Sequence, residues 1–161
     1  MSGTISMGHN AVGMTLYPDT SVLSALFDAR NPERAEITRE FLEVRSSDTL
    51  IVSELTLAEI AATPSEALRQ AMAGVADRCE TVAVVPEADR LASRYIEAGA
   101  VSEAFSADSY HIATAVVCNA NVVVSWNFRH IVRRRTRDIV NMVNTMHGYA
   151  HIEIAAPGEL L

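Results

Sequence analysis

An α/β fold around a mainly parallel, twisted sheet is what the sequence predicts, and two observations carry the prediction. Short apolar, β-branched runs alternate along the chain with longer stretches of helical periodicity, the order that parallel βαβ units require. The run Val122-Val123-Val124 has no polar alternation at all, which suits a strand covered on both faces by helices. A length of 161 residues suffices for one buried core, and no repeat, low-complexity tract or linker divides it. A single domain over residues 14–161 is therefore expected. Residues 1–13 lack both a basic n-region and an apolar h-region, so they read as a flexible leader, with Met14 a candidate start.

The elements follow in order. Leu16-Tyr17-Pro18 is a short apolar strand ending at Asp19, after which Val22, Leu23, Ala25 and Leu26 take up helical spacing, with Thr20 and Ser21 as capping hydroxyls. Asn31-Pro32 starts a second helix that turns Ile37, Phe41, Leu42 and Val44 inward and Glu36, Glu40 and Glu43 outward. Thr49–Val52 is a second strand. Ser53 caps the next helix, in which Leu55 and Leu57 flank an apolar face and Glu59 stands in a nearly uncharged turn. Pro64-Ser65 restarts a helix through Ala76, and Thr81–Val85 reads as a third strand stopped by Pro86. A helix over 87–99 ends on Gly99. Ser106 is the expected cap of the helix that follows, with Asp108 in its first turn, where the helix dipole favours a negative charge, and His111 as a polar core residue. Asn119-Ala120-Asn121 turns into the Val122–Val124 strand, whose end carries Ser125-Trp126-Asn127. An Arg-rich, partly helical segment over 129–146 leads to an edge strand at Ile152-Glu153-Ile154.

Composition narrows the function. No apolar run approaches the ~20 residues of a membrane-spanning helix, and Cys79 and Cys118 have neither CxxC pairing nor zinc-ligand spacing, so free thiols in a reducing cytoplasm are expected. Every basic residue is Arg. Residues 1–126 carry 8 Arg against 17 acids, whereas 127–139 carry 5 Arg against 1 acid, so an acidic body bears one basic segment. Such a body is a poor non-specific binder of nucleic acid, although the segment can guide a polyanion along one edge.

Three carboxylates come from separate places in the βαβ order: Asp19 after the first strand, Glu59 in the helix after the second, and Asp108 at the start of a late helix. Asp19 and Asp108 each alone have a plain explanation as a cap or a dipole-favoured acid, and Asn127 alone is a turn residue. Glu59 is the hardest to dismiss, because a buried carboxylate is costly unless paired or bound to a cation. With short right-handed connections the three converge on one sheet edge, and their mutual repulsion calls for a hard divalent cation such as Mg²⁺ or Mn²⁺.

Four pieces of the chain, Tyr17-Pro18-Asp19-Thr20-Ser21-Val22-Leu23, Ser53–Ile60, Ser106–Ala115 and Val124-Ser125-Trp126-Asn127-Phe128-Arg129-His130-Ile131, resemble the successive motifs of PIN-domain ribonucleases of the VapC toxin type, from type II toxin–antitoxin systems. The resemblance spans about residues 14–156. It implies a three-layer α/β/α PIN-like domain and a metal-dependent endoribonuclease in which Asp19, Glu59 and Asp108 are the acidic metal ligands. Where the family often has a fourth acid, this chain has Asn127, which can ligate through its carbonyl or hold a water but brings no charge. In this reading Mg²⁺ or Mn²⁺ activates the attacking water, Glu59 orients or deprotonates it, and Thr20, Ser125 and Asn127 position it. Arg129, Arg133, Arg134, Arg135 and Arg137 reach RNA phosphates, or else form a solvated face or pair with the acidic body. A small cognate antitoxin and a homodimer are implied as well.

Two other classes compete. A phosphoacceptor or phosphatase domain has similar architecture, but it needs an acid pair or DxD motif after the first strand and a late basic residue; here Thr20-Ser21 follows Asp19 and there is no Lys. A catalytically dead PIN-like interaction module is kept open by Asn127.

Overall fold

The computed structural model describes residues 13–161, so the leader expected over residues 1–13 lies, but for Gly13, outside the described residues. Five strands, β1 (Thr15–Pro18), β2 (Thr49–Ser53), β3 (Glu80–Val82), β4 (Val122–Val124) and β5 (Glu153–Ala155), form one sheet in the order β3-β2-β1-β4-β5. Every pairing is parallel, with Leu16 opposite both Leu50 and Val122. Seven helices accompany them: α1 (Thr20–Ala25), α2 (Pro32–Val44), α3 (Glu54–Ala61), α4 (Glu66–Ala76), α5 (Pro86–Glu97), α6 (Ser106–Val117) and α7 (Arg134–Met146). Among the described residues no helix is long and apolar enough to cross a membrane.

The period-two alternation of strands sorts the core into two faces. Tyr17, Ile51, Val123 and Ile154 pack with Leu91, Tyr95, Ile112 and Val140 of α5, α6 and α7. Leu16, Val122 and Val124 meet Val22 and Phe41, while Val52 meets Leu23, Ile60 and Met72, so α1–α4 cover the opposite face. The result is the expected three-layer α/β/α arrangement. All three valines of β4 are fully buried, as their unbroken apolar run requires.

Several local expectations are corrected. Ser106 does not cap α6: a 3-10 turn over Glu103–Phe105 runs directly into the helix, Phe105 takes the capping position without a side-chain bond, and Ser106 is already helical. The third strand stops at Val82, and Val85 serves as the N-terminal flank of α5, because Pro86 begins that helix. Val44, expected to face inward, is exposed, as is Leu57, expected to flank the apolar face of α3. Val44 is the last residue of α2, and Leu57 lies on the solvent side of α3 between the buried Thr56 and Ile60. Asn31 with Pro32, Ser53 and Ser65 cap as expected, each side chain accepting a backbone N–H three residues on. Gly99, at φ +84°, follows the end of α5 in the left-handed region that glycine adopts without steric cost.

Candidate active site

In an open parallel sheet, neighbouring strands whose connections run in opposite directions leave a crevice outside their carboxyl ends. Here that place lies between β1 and β4, since β2 and β3 extend the sheet one way and β5 the other. Asp19 follows β1 and Ser125-Trp126-Asn127 follows β4, so both reach the crevice directly.

Asp19 caps α1 by accepting from Ser21 N at 3.0 Å. The Ser21 hydroxyl donates to the same oxygen, Oδ1, while Oδ2 accepts from Ser125 Oγ at 2.6 Å. Both serines are used twice. Ser125 Oγ accepts from Asn127 N at 2.9 Å and Ser21 Oγ accepts from Trp126 N at 2.9 Å. The end of β1 and the loop after β4 are thereby joined through one carboxylate, reinforced by Asp19 N donating to Val124 O. Burial pushes the Asp19 carboxyl above the usual range, against the lowering effect of the Ser125 and Ser21 hydrogen bonds.

Asp108, in the first turn of α6, has a barer setting. Its one side-chain partner is Asn127, whose Nδ2 donates to Oδ2 at 3.3 Å. Its carboxyl is also raised, first by burial and then by the charge of Asp19, with Glu59 adding to the effect and His130 and His111 opposing it. Asp108 thus feels the charge of both other acids.

Asn127 organises the loop around itself. Its Oδ1 accepts from Arg129 N at 3.2 Å and His130 N at 3.0 Å, and its backbone carbonyl accepts from Ile131 N and Val132 N. The amide thus turns its NH₂ toward Asp108 and occupies its carbonyl with backbone. The His130 ring stacks on Phe105 with centroids 3.8 Å apart, tying this loop to the start of α6. Trp126 is structural: its Nε1 donates to Thr38 Oγ1, and Arg34 lies over its ring.

Glu59, on α3, meets His111 Nε2 at 2.5 Å through Oε1. Burial opposes its charge, but the His111 hydrogen bond, with help from Thr20, outweighs it and holds the carboxyl below the usual range. Thr20 Oγ1 is itself buried and supplies that help to Glu59. Sequence reasoning placed His111 in the core and missed this pairing. The signal was present, because 108 and 111 are three residues apart and share a helix face.

The Arg-rich segment divides. Arg133 donates to Ala100 O and Thr136 Oγ1, Arg135 to Gly99 O, and Arg137 to Ile154 O and Glu159. Arg129 and Arg134 are exposed, Arg134 beside Asp138. A groove of about 680 Å³, lined among others by Phe27, Leu42 and Cys79, holds none of the site carboxylates.

Among the described residues no three His, Cys, Asp or Glu side chains stand close enough to hold a metal ion as they are placed. The donor chemistry nonetheless fits a hard divalent cation. The candidate donors are carboxylate oxygens, and the charge of Asp19 adds to burial in disfavouring an ionised Asp108, a cost that a bound cation would offset.

Comparison with known proteins agrees with this geometry. No curated protein sequence matches the chain. Among solved structures, VapBC2 from Rickettsia felis, bound to a DNA fragment from its promoter, superposes with a TM-score of 0.59 at 12% identity, covering 89% of this chain and 98% of that one. VapC20 from Mycobacterium tuberculosis, a Sarcin-Ricin loop cleaving toxin, gives 0.58 at 13% identity, covering 86% and 98%. Both similarities are of fold. The PIN domain family model matches residues 16–135, which takes in Asp19, Glu59, Asp108 and Asn127, and the chain belongs to the PIN domain family.

Proposed function

We propose that the protein is a cytoplasmic, metal-dependent endoribonuclease, the toxin of a toxin–antitoxin pair, acting through one domain over residues 14–161. The observation that supports the reading is that the Asp108 carboxyl at the start of α6 feels the charge of both Asp19 and Glu59, with Asp19 and Asn127 following the two strands, β1 and β4, that flank the crevice. The fold shared with the two VapC-containing structures supports it.

Asp19 and Asp108 would hold Mg²⁺ or Mn²⁺, with Glu59 beside them. When bound, the cation supplies charge to offset the phosphate and acidifies the attacking water. The residues do the rest. The two serines fix the Asp19 carboxylate, Asn127 steadies Asp108, and Glu59, kept ionised by His111, takes the proton of a water that Thr20 and Ser125 help to place. Arg129 and Arg134, free to face solvent, are the contacts for RNA phosphates beside the site, whereas Arg133 and Arg135 are engaged by the fold. Asn127 contributes position rather than ligation. A small antitoxin and a second copy of the chain are the proposed partners.

Incubation with structured RNA, with and without Mg²⁺ or Mn²⁺, tests the reading. The wild type cleaves only with metal and Asp108→Asn does not cleave. Absence of cleavage under every metal, or equal cleavage by the variant, would leave the dead interaction module as the better account.

A further inference from the structure

Behind Glu59 runs a chain of buried polar groups that the cleavage chemistry does not itself require. Ser53 Oγ lies 2.7 Å from the Tyr17 hydroxyl, which lies 2.7 Å from His111 Nδ1, and His111 Nε2 reaches Glu59 at 2.5 Å. Tyr17 and Ser53 are fully buried and His111 is 3% exposed, so none of the three is held by water. They come from four elements: Tyr17 from β1, Ser53 from the end of β2 where it caps α3, His111 from α6, and Glu59 from α3 itself. Burial keeps the Tyr17 phenol protonated. Because Glu59 is an ionised acceptor, Nε2 carries the hydrogen. Whichever way the Tyr17 hydroxyl turns, donating to Nδ1 or accepting from it, Nε2–H still donates to Glu59.

We propose that His111 is a positioning residue: anchored from the core by Tyr17 and Ser53, it holds the Glu59 carboxylate in the orientation the site uses. The arrangement is that of an outer partner that orients an inner carboxylate, whose loss typically costs about 10–100-fold in metal affinity or activity. The proposal rests on the nuclease reading and deepens it. It also explains why α3 carries an acid in an otherwise apolar turn, since Glu59 is the partner that a buried imidazole on α6 needs.

The test is a double-mutant cycle on the full chain, read in two ways: Mn²⁺ affinity by calorimetry, and kcat and KM for RNA cleavage. His111→Leu and Glu59→Gln should each weaken Mn²⁺ binding about tenfold and lower kcat about 10–100-fold, with KM for RNA nearly unchanged. In the Glu59→Gln background, adding His111→Leu should change neither quantity further. His111→Gln, which keeps an N–H near the Nε2 position, should recover most of both, and Tyr17→Phe should show a milder loss of the same kind. Additive losses, a folded His111→Gln with no recovery, or a silent His111→Leu would overturn the proposal. Asp19→Asn and Asp108→Asn separate the two readings. If both match the wild type in Mn²⁺ binding and cleavage, the nuclease reading fails; if both are inactive while the His111 variants are silent, only the positioning role fails.

Discussion

Asp19 and Asp108 face the same crevice but are built differently. Asp19 sits in a cradle of three donors from Ser21 and Ser125 and joins β1 to the loop after β4. Asp108, among the described residues, has the Asn127 amide at 3.3 Å as its one side-chain hydrogen-bond partner, and burial and the charge of Asp19 outweigh the opposing effect of His130 and His111 on its carboxyl. Asp19 is thus bound into the fold, whereas Asp108 contributes little to it. Substitutions should therefore separate stability from activity.

The largest effect is expected at Asp19. Asp19→Ala removes a helix cap and strips the buried Ser125 and the half-buried Ser21 of their acceptor, costing about 2–4 kcal/mol, or roughly a 5–15 °C lower Tm for a chain of this size. Asp108→Asn should abolish cleavage, by at least ~100-fold, with no loss of Tm. Equal melting losses for the two variants would erase the distinction.

Asn127→Asp comes next. It keeps the carbonyl-side bonds to Arg129 N and His130 N but replaces the donor facing Asp108 with a second carboxylate. The metal-free variant should melt lower than the wild type, and saturating Mn²⁺ should raise its Tm by more than it raises that of the wild type. Differential scanning calorimetry decides it.

The pH dependence of the metal-free protein gives a smaller effect. A carboxyl whose folded pKa is raised binds its proton more tightly in the folded state, so stability falls as pH rises from the ordinary carboxylate range through the raised value. Asp108→Asn lacks that loss. It should be the more stable protein at pH 7, and the gap should close as the pH is lowered. A gap that widens toward acid would reverse the sign assigned to Asp108.

The smallest effects sort the arginines. Arg129→Ala should raise KM for RNA a few-fold, reduce the salt slope of binding by about 1 and leave Tm unchanged. Arg133→Ala should lower Tm, because it loses bonds to Ala100 O and Thr136.

Much of this was legible in the sequence, and the gaps have physical causes. The unbroken valines of β4 and the strand-to-helix junction at Asp19 are local signals, and they located the crevice. Asp108 was placed correctly in its helix, but the preceding 3-10 turn displaced Ser106 from the cap, a choice made by packing rather than by propensity. The third strand was read too long because Val84 and Val85 are β-formers, whereas pairing with β2 ends at Val82. The Glu59–His111 pair spans 52 residues and exists only because the sheet order brings α3 and α6 to the same end. Asn127 stands out in the sequence as a candidate site position, but which way its amide turns depends on backbone N–H groups of its own loop.

The central claim is that Asp19 and Asp108 together hold a divalent cation. Anomalous diffraction from wild-type crystals soaked in Mn²⁺ tests it most directly. The account predicts a Mn²⁺ peak bonded to both carboxylates in the crevice beyond β1 and β4; no peak there at saturating Mn²⁺, or a peak only elsewhere on the molecule, would contradict it.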